Sequence, residues 1–276
     1  METPFPPFDP EGRPRPRFGR FGKVPLRVLL PNLVTLLALC SGLTAVRLAI
    51  EERIELALAA IVFAAILDGV DGRLARALKG TSRFGAELDS LADFVNFGCV
   101  PALMLYFWGL NEAGAFGWTA ALAYAICAAL RLARFNVMLD DPNKPPFAAD
   151  FFTGVPAPAG AITVLLPVYL ELIGLPHGRV SALIALLYCL AIGFLMISTV
   201  PAWSGKTLGR RIRRDMVLPL FVVVAIFFAL LASYPWVVLS VCTAIYLALL
   251  PISTLRYRRL MAAWRAEHPA AVASAD

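Results

Sequence analysis

The sequence predicts an all-α fold: a polytopic membrane helical bundle of about eight spans. Three observations carry the prediction. Of 276 residues, 59% are hydrophobic and only 16% charged, and the mean hydropathy is +0.74, values of a chain solvated largely by lipid. The apolar residues gather in runs long enough to cross about 30 Å of hydrocarbon as helix. Short polar or Pro/Gly-bearing segments separate these runs. The same composition excludes a soluble enzyme built on one large core. The net charge is +6 and the pI about 9.3, but Lys and Arg cluster at the ends of the apolar runs. That placement suits anionic lipid headgroups and cytoplasmic loops, not nucleic acid.

Residues 1–25 contain PRPRFGRFGKVP. They lack an apolar core ending in a small-residue cleavage site, so they read as a basic tail against anionic lipid and not as a signal peptide. The first span covers residues 26–50, with Pro31 and Asn32 near its start and Thr35 one turn on, a helix beginning at the interface. The second, residues 54–78, ends in Asp68 and Asp71, and the third, residues 84–110, begins with Asp89 and Asp93. After a turn at Asn111 to Gly114, a fourth span over residues 116–139 carries Arg131, Arg134 and Asn136 near its end. Residues 140–146, DDPNKPP, are a polar loop.

The stretch FFTGVPAPAG (residues 151–160) opens a fifth span that ends near Ile173. Its Pro and Gly predict an irregular start, tolerated at membrane depth only where protein satisfies the backbone. Residues 180–200 form a sixth span, and residues 204–214 a basic loop. Spans seven and eight cover residues 216–232 and 236–252. The domain reading is therefore a basic tail (1–25), a six-span core (26–200), a basic loop with two further spans (201–252) and a C-terminal tail (253–276). An even number of spans puts both termini on one side. The basic segments all fall on that side, which the positive-inside rule makes cytoplasmic. The five cysteines sit in apolar runs without ligand spacing and read as reduced packing residues. With only His177 and His268 present, in a loop and in the tail, histidine catalysis is not expected.

The chain is organised around residues 68–93, DGVDGRLARALKGTSRFGAELDSLAD. Ionised carboxylates are costly at membrane depth and usually functional. Asp68 and Asp71 are i,i+3 and Asp89 and Asp93 are i,i+4, so each pair shares a helix face. A hairpin through Lys79 to Ser82 would bring all four to one depth. Such a cluster requires divalent cations, and hard oxygen ligands suit two Mg²⁺ or Mn²⁺ ions. A cytoplasm-facing metal pair suits phosphoryl chemistry. Arg76 is placed to fork onto a phosphate oxygen. Gly72, Ala75 and Gly85 lack bulk and permit close approach, Thr81 and Ser82 offer hydroxyls, and Asp93 is the candidate general base. Residue type alone leaves a cation transporter open, with Arg76 an interface cation and Gly72 a packing glycine.

The pattern Asp68-x2-Asp71-Gly72-x2-Ala75-Arg76-x8-Gly85-x3-Asp89-x3-Asp93 resembles the signature of the CDP-alcohol phosphotransferase family. The resemblance implies a core of six membrane helices, usually in a homodimer, that transfers a phosphatidyl-type group from a CDP-linked substrate to an alcohol and releases CMP. It implies that Asp68, Asp71 and Asp89 bind metal and that Asp93 is both ligand and base. Gly72, Arg76, Ser82 and Asn32 would then contact the CDP and diphosphate, with Ala75 and Gly85 completing the expected CDP-lipid-binding set. Three further stretches, residues 96–102 (NFGCVPA), 131–136 (RLARFN) and 152–159 (FTGVPAPA), are similar to the bacterial serine-accepting branch of that family. That similarity implies CDP-diacylglycerol and L-serine as substrates. Asn96, Arg131 and Arg134 are the candidate acceptor residues, since a serine carboxylate needs a cation. Helix-end anchoring is the alternative role for the two arginines. Glycerol phosphate, inositol phosphate and choline are the alternative acceptors, choline favouring an aromatic cage without such an arginine.

Overall fold

A computed structural model describes residues 26–78, 80, 82–138, 151–203 and 216–267. The two expected terminal tails (apart from residues 253–267), the 140–146 and 204–214 loops, Lys79 and Thr81 lie outside them. Every expected span contains helix, but the fifth opens on a short strand at residues 151–153 and turns helical only at Ala157. Helix α1 (Leu26–Ile50) and α2 (Ile54–Ala77) form a hairpin. α3 (Arg83–Asp93), a π-helical turn (Phe94–Cys99) and α4 (Val100–Trp108) form one rod, followed by a 3₁₀ turn (Leu110–Ala113) and α5 (Ala115–Met138). Strand β1 (Phe151–Thr153) precedes a broken rod of α6 (Ala157–Val164) and α7 (Leu166–Leu172). Then come α8 (Arg179–Ile197), β2 (Pro201–Trp203), α9 (Val217–Ser233) and α10 (Pro235–Glu267).

Five of these rods are long and apolar enough to cross a membrane: α1, α3–α4, α5, α8 and α10. The α6–α7 rod and α9 are apolar but shorter. Helix α2 has 24 residues, about 36 Å at 1.5 Å per residue, but its last turns are charged because they carry the site. Tight α1–α2 packing rests on small side chains. Ala38, Ala45 and Ala49 on one helix and Ala57 and Ala64 on the other are buried, as close approach in lipid requires. Ser41 adds a 2.8 Å hydrogen bond to the Ala60 carbonyl. Glu52 closes the hairpin at φ 61°.

A proline in a span leaves the carbonyl four residues back without its backbone donor, and at Pro101 and Pro167 a neighbouring helix supplies one. Pro101 leaves Phe97, whose carbonyl takes the Tyr124 hydroxyl of α5 at 3.1 Å. Pro167 leaves Thr163, whose carbonyl takes the Tyr188 hydroxyl of α8 at 2.8 Å. Tyr124 and Phe97 are fully buried, in a core that also holds Met104, Leu105, Tyr169 and Met196.

The irregular stretch after residue 150 is resolved by pairing. β1 and β2 run antiparallel with Phe152 opposite Ala202, so the open backbone is satisfied within protein. Gly154 sits at φ 77° with its face against the Met196 carbonyl, a position that needs glycine. Helix α9 has no buried residue and presents apolar side chains all round. Helix α10 extends well past residue 252, to Glu267. It is tied to the core by Trp236 stacked on Tyr169 at 6.3 Å and by a 2.6 Å bond from Ser253 to the Pro201 carbonyl.

Candidate active site

The end of α2 and the start of α3 come together at the aspartates. Their periodicity turns the aspartates inward, as the spacing predicts. Ligand oxygens of Asp68, Asp71 and Asp89 all lie within 4.8 Å of one another. Asp93 stands one turn deeper on α3 and is not part of that triplet. Its carboxyl lies beside that of Asp68, and its buried Oδ1 has no partner. The four acids thus form three plus one, because the i,i+4 step from Asp89 carries Asp93 along the helix axis by about 6 Å.

Asp71 is only 3% exposed. The Thr35 hydroxyl of α1 lies 2.7 Å from Asp71 Oδ2 and 3.1 Å from the Pro31 carbonyl. This hydroxyl orients the carboxylate as an outer-shell group does for a metal ligand. From the sequence alone Thr35 reads as an interface residue. Its position one turn after Pro31-Asn32 is the signal for this role.

Beside the carboxylates lies a cavity of about 180 Å³ lined by Asn32, Gly72, Ala75, Arg76, Ser82 and Gly85, together with Asp71 and Asp89. All six expected CDP-lipid residues therefore meet in one place. A Cβ on Gly72 would have only Arg76 guanidinium nitrogens nearby, at 3.7 and 3.9 Å, so the helix face there is open beside a cation. A Cβ on Gly85 would stand 2.8 Å from Asn32 Oδ1 and 3.1 Å from Ser82 Oγ. Glycine is what lets the first turn of α3 reach α1. Ser82 also caps that turn, its Oγ accepting from the Gly85 N–H at 3.0 Å. Gly80, another lining residue, abuts the Arg27 carbonyl, which has lost its usual donor because Pro31 has no N–H.

The expected acceptor residues separate. Arg131 is 7% exposed, its guanidinium 5.2 Å from the Phe135 ring centroid, within electrostatic range of Asp93. Its Nε has no partner. Asn96 lies in the π-helical turn, 1% exposed, with its side chain against Gly42 of α1 and both amide atoms unpartnered. Such turns often mark functional positions. Arg134 is committed elsewhere: it donates to the Ile197 carbonyl at 2.7 Å, capping the C-terminus of α8. Asn136 reaches back to Ser90 at 3.1 Å and ties α5 to the helix bearing Asp89.

Residues 28–203 match the CDP-alcohol phosphatidyltransferase family. The chain belongs to that family. Residues 215–251 match a second description, CDP-alcohol phosphatidyltransferase 2. The chain is similar to proteins named CDP-diacylglycerol–serine O-phosphatidyltransferase. One from Mycobacterium leprae is 39% identical over 88% of this chain and 78% of that protein. One from Mycobacterium tuberculosis is 38% identical over 94% and 86%, and one from Helicobacter pylori is 34% identical over 79% and 88%.

CDP-alcohol phosphatidyltransferases are generally dependent on a divalent metal, and the donor set here fits one. Three converging carboxylates of hard oxygen need cationic compensation, and Arg76 is the cation bordering them in the cavity. Bound metal supplies charge neutralisation and alignment of a diphosphate.

Proposed function

We propose that this enzyme transfers the phosphatidyl group of CDP-diacylglycerol to the hydroxyl of L-serine, giving phosphatidylserine and CMP. The observation that carries the reading is the meeting of the three-aspartate cluster with all six diphosphate-side residues in one cavity. The names of the similar proteins support serine as acceptor.

Asp68, Asp71 and Asp89 hold Mg²⁺ or Mn²⁺, two ions by the carboxylate count, and Asp93 borders them. Asn32, Gly72, Ala75, Arg76, Ser82 and Gly85 cradle the CDP and its diphosphate, with Arg76 pairing a phosphate oxygen. The serine Oγ attacks the phosphorus that carries diacylglycerol. The new O–P bond forms as the bond from that phosphorus to the bridging oxygen breaks, and the electron pair leaves with CMP. The serine hydroxyl proton passes to Asp93. The core of residues 26–200 carries this chemistry. The 201–252 segment adds two spans, and the terminal tails (1–25 and 253–276) flank them. The multi-pass bundle sits in the cell's inner membrane, with both termini and the site at the cytoplasmic face, where serine is dissolved, and it pairs as a homodimer.

Purified protein in lipid nanodiscs, given CDP-diacylglycerol and L-serine, should release CMP and form phosphatidylserine. Chelation should abolish both, and Mg²⁺ or Mn²⁺ should restore them. Asp93→Asn should lower kcat by about 10²- to 10⁴-fold; normal turnover by that variant removes Asp93 from the base role. CMP release with glycerol phosphate, inositol phosphate or choline but not serine refutes the acceptor. Metal flux into liposomes without CMP release refutes transfer altogether.

A further inference from the structure

Buried polar side chains are normally paired. Among the described residues, the unpartnered buried atoms include Asp93 Oδ1, Arg131 Nε, Thr243 Oγ1 and Tyr246 Oη. The last two belong to α10, outside the 28–203 core match. Arg131 lies within electrostatic range of both Asp93 and Tyr246. Three other hydroxyls of α10 have acceptors: Ser240 donates to the Trp236 carbonyl at 2.7 Å, Thr254 to the Leu250 carbonyl at 2.9 Å and Ser253 to the Pro201 carbonyl. Thr243 and Tyr246, one turn apart on one face, do not follow that pattern. The helix is held on both sides of them, by Trp236 on Tyr169 and by Ser253 on Pro201, so their depth in the bundle is set.

The unmet groups have a definite polarity. Arg131 Nε–H is a donor with no acceptor, and the Tyr246 hydroxyl has a proton to donate. Asp93 Oδ1 is an acceptor with no donor. A small molecule that satisfies all three carries an anionic oxygen pair at one end and a hydroxyl or ammonium at the other. We infer that α10 completes the acceptor subsite: Tyr246 Oη and Arg131 Nε together bind the carboxylate of a hydroxy-amino acid whose hydroxyl faces Asp93. This rests on the phosphatidyl-transfer reading and extends it to a residue of the added spans. Tyr246 is a specificity residue that touches the substrate's non-reacting end. Uniform binding of this kind appears in KM, not kcat.

The test is Tyr246→Phe in the full-length protein in nanodiscs, with kinetics for L-serine, CDP-diacylglycerol and serinol, which keeps the hydroxyls and amine but lacks the carboxylate. Loss of one hydrogen bond to a charged group should raise the serine KM about 10- to 100-fold. The KM for CDP-diacylglycerol, kcat and the weak use of serinol should stay within about twofold of the parent. Thermal stability should hold or rise, because the hydroxyl has no protein partner to lose. An unchanged serine KM overturns the inference. A parallel rise in both substrates' KM values with lowered stability also overturns it, since that marks a packing role. Failure of the parent protein to use serine sinks the transfer-to-serine reading itself, and this subsite with it. Normal parent turnover with an unaltered variant sinks the subsite alone.

Discussion

Each signature residue has its own reason to be that residue. Gly72 keeps a helix face open beside the Arg76 guanidinium, whereas Gly85 is a contact glycine pressed toward Asn32 and Ser82. The two therefore respond differently to an added methyl. Gly85→Ala must push Asn32 or Ser82 aside and should raise the KM for CDP-diacylglycerol by about 10-fold or more, with loss of α3 capping seen as a lower Tm. Gly72→Ala meets no such clash, so its effect is confined to substrate approach and should leave Tm within about 1 °C of the parent. Thermal unfolding of both variants, alongside CMP-release kinetics, separates the cases. The aspartate spacing was legible as helix-face pairing, and so was the need for cations. The division into a triplet and a deeper Asp93 was not, because it depends on how far α3 is offset along α2. The hydroxyl that orients Asp71, on Thr35, is 36 residues away in the chain and carries no motif of its own.

At the level of elements, the bundle tolerates Pro101 and Pro167 in its spans because the carbonyl that each frees accepts a tyrosine hydroxyl from a neighbouring helix. Tyr188→Phe removes the hydroxyl that satisfies Thr163, and Tyr124→Phe the one that satisfies Phe97. Each should destabilise by about 1 kcal/mol, the scale of interhelical hydrogen bonds in membranes. The double variant should be additive, since the two bonds share no partner. Denaturation in mixed micelles reads both. Proline positions were visible in the sequence, but the compensating tyrosines lie 27 and 25 residues away from their acceptors and look like ordinary apolar-run aromatics. The β1–β2 pairing was similarly hidden. Three-residue strands bounded by Gly and Pro show no alternation to detect, and only the approach of residues 201–203 makes them strands.

For the whole molecule, the end opposite the site is closed by His177. Its Nδ1 lies 2.7 Å from Glu171 and its Nε2 3.2 Å from Glu112, while Trp108 also donates to Glu171 at 2.6 Å. The hydrogen bond to Glu171, aided by Glu112, raises the His177 pKa from its ordinary 6.5. The folded state therefore binds the proton more tightly than the unfolded one. The resulting stabilisation is fully present below about pH 6.5 and is lost as pH rises through the raised value. A melting series from about pH 5.5 to 9 should show Tm falling across that window. His177→Gln should flatten the slope. An unchanged slope in the variant excludes His177 as its source.

The sequence by itself determined the apolar helical character of the chain and the chemistry-bearing stretch. Hydropathy and local periodicity are short-range properties, and residues 68–93 hold every signature group within one hairpin. Tertiary structure decided what depends on neighbours far along the chain. It aligned Thr35 with Asp71 and held Arg134 at the end of α8 while leaving Arg131 Nε unpaired. It brought Tyr246 from the final helix to the same buried region. Side-chain pairing is set by the offset and rotation of packed helices, and those follow from small-residue contacts and proline breaks distributed over the whole bundle.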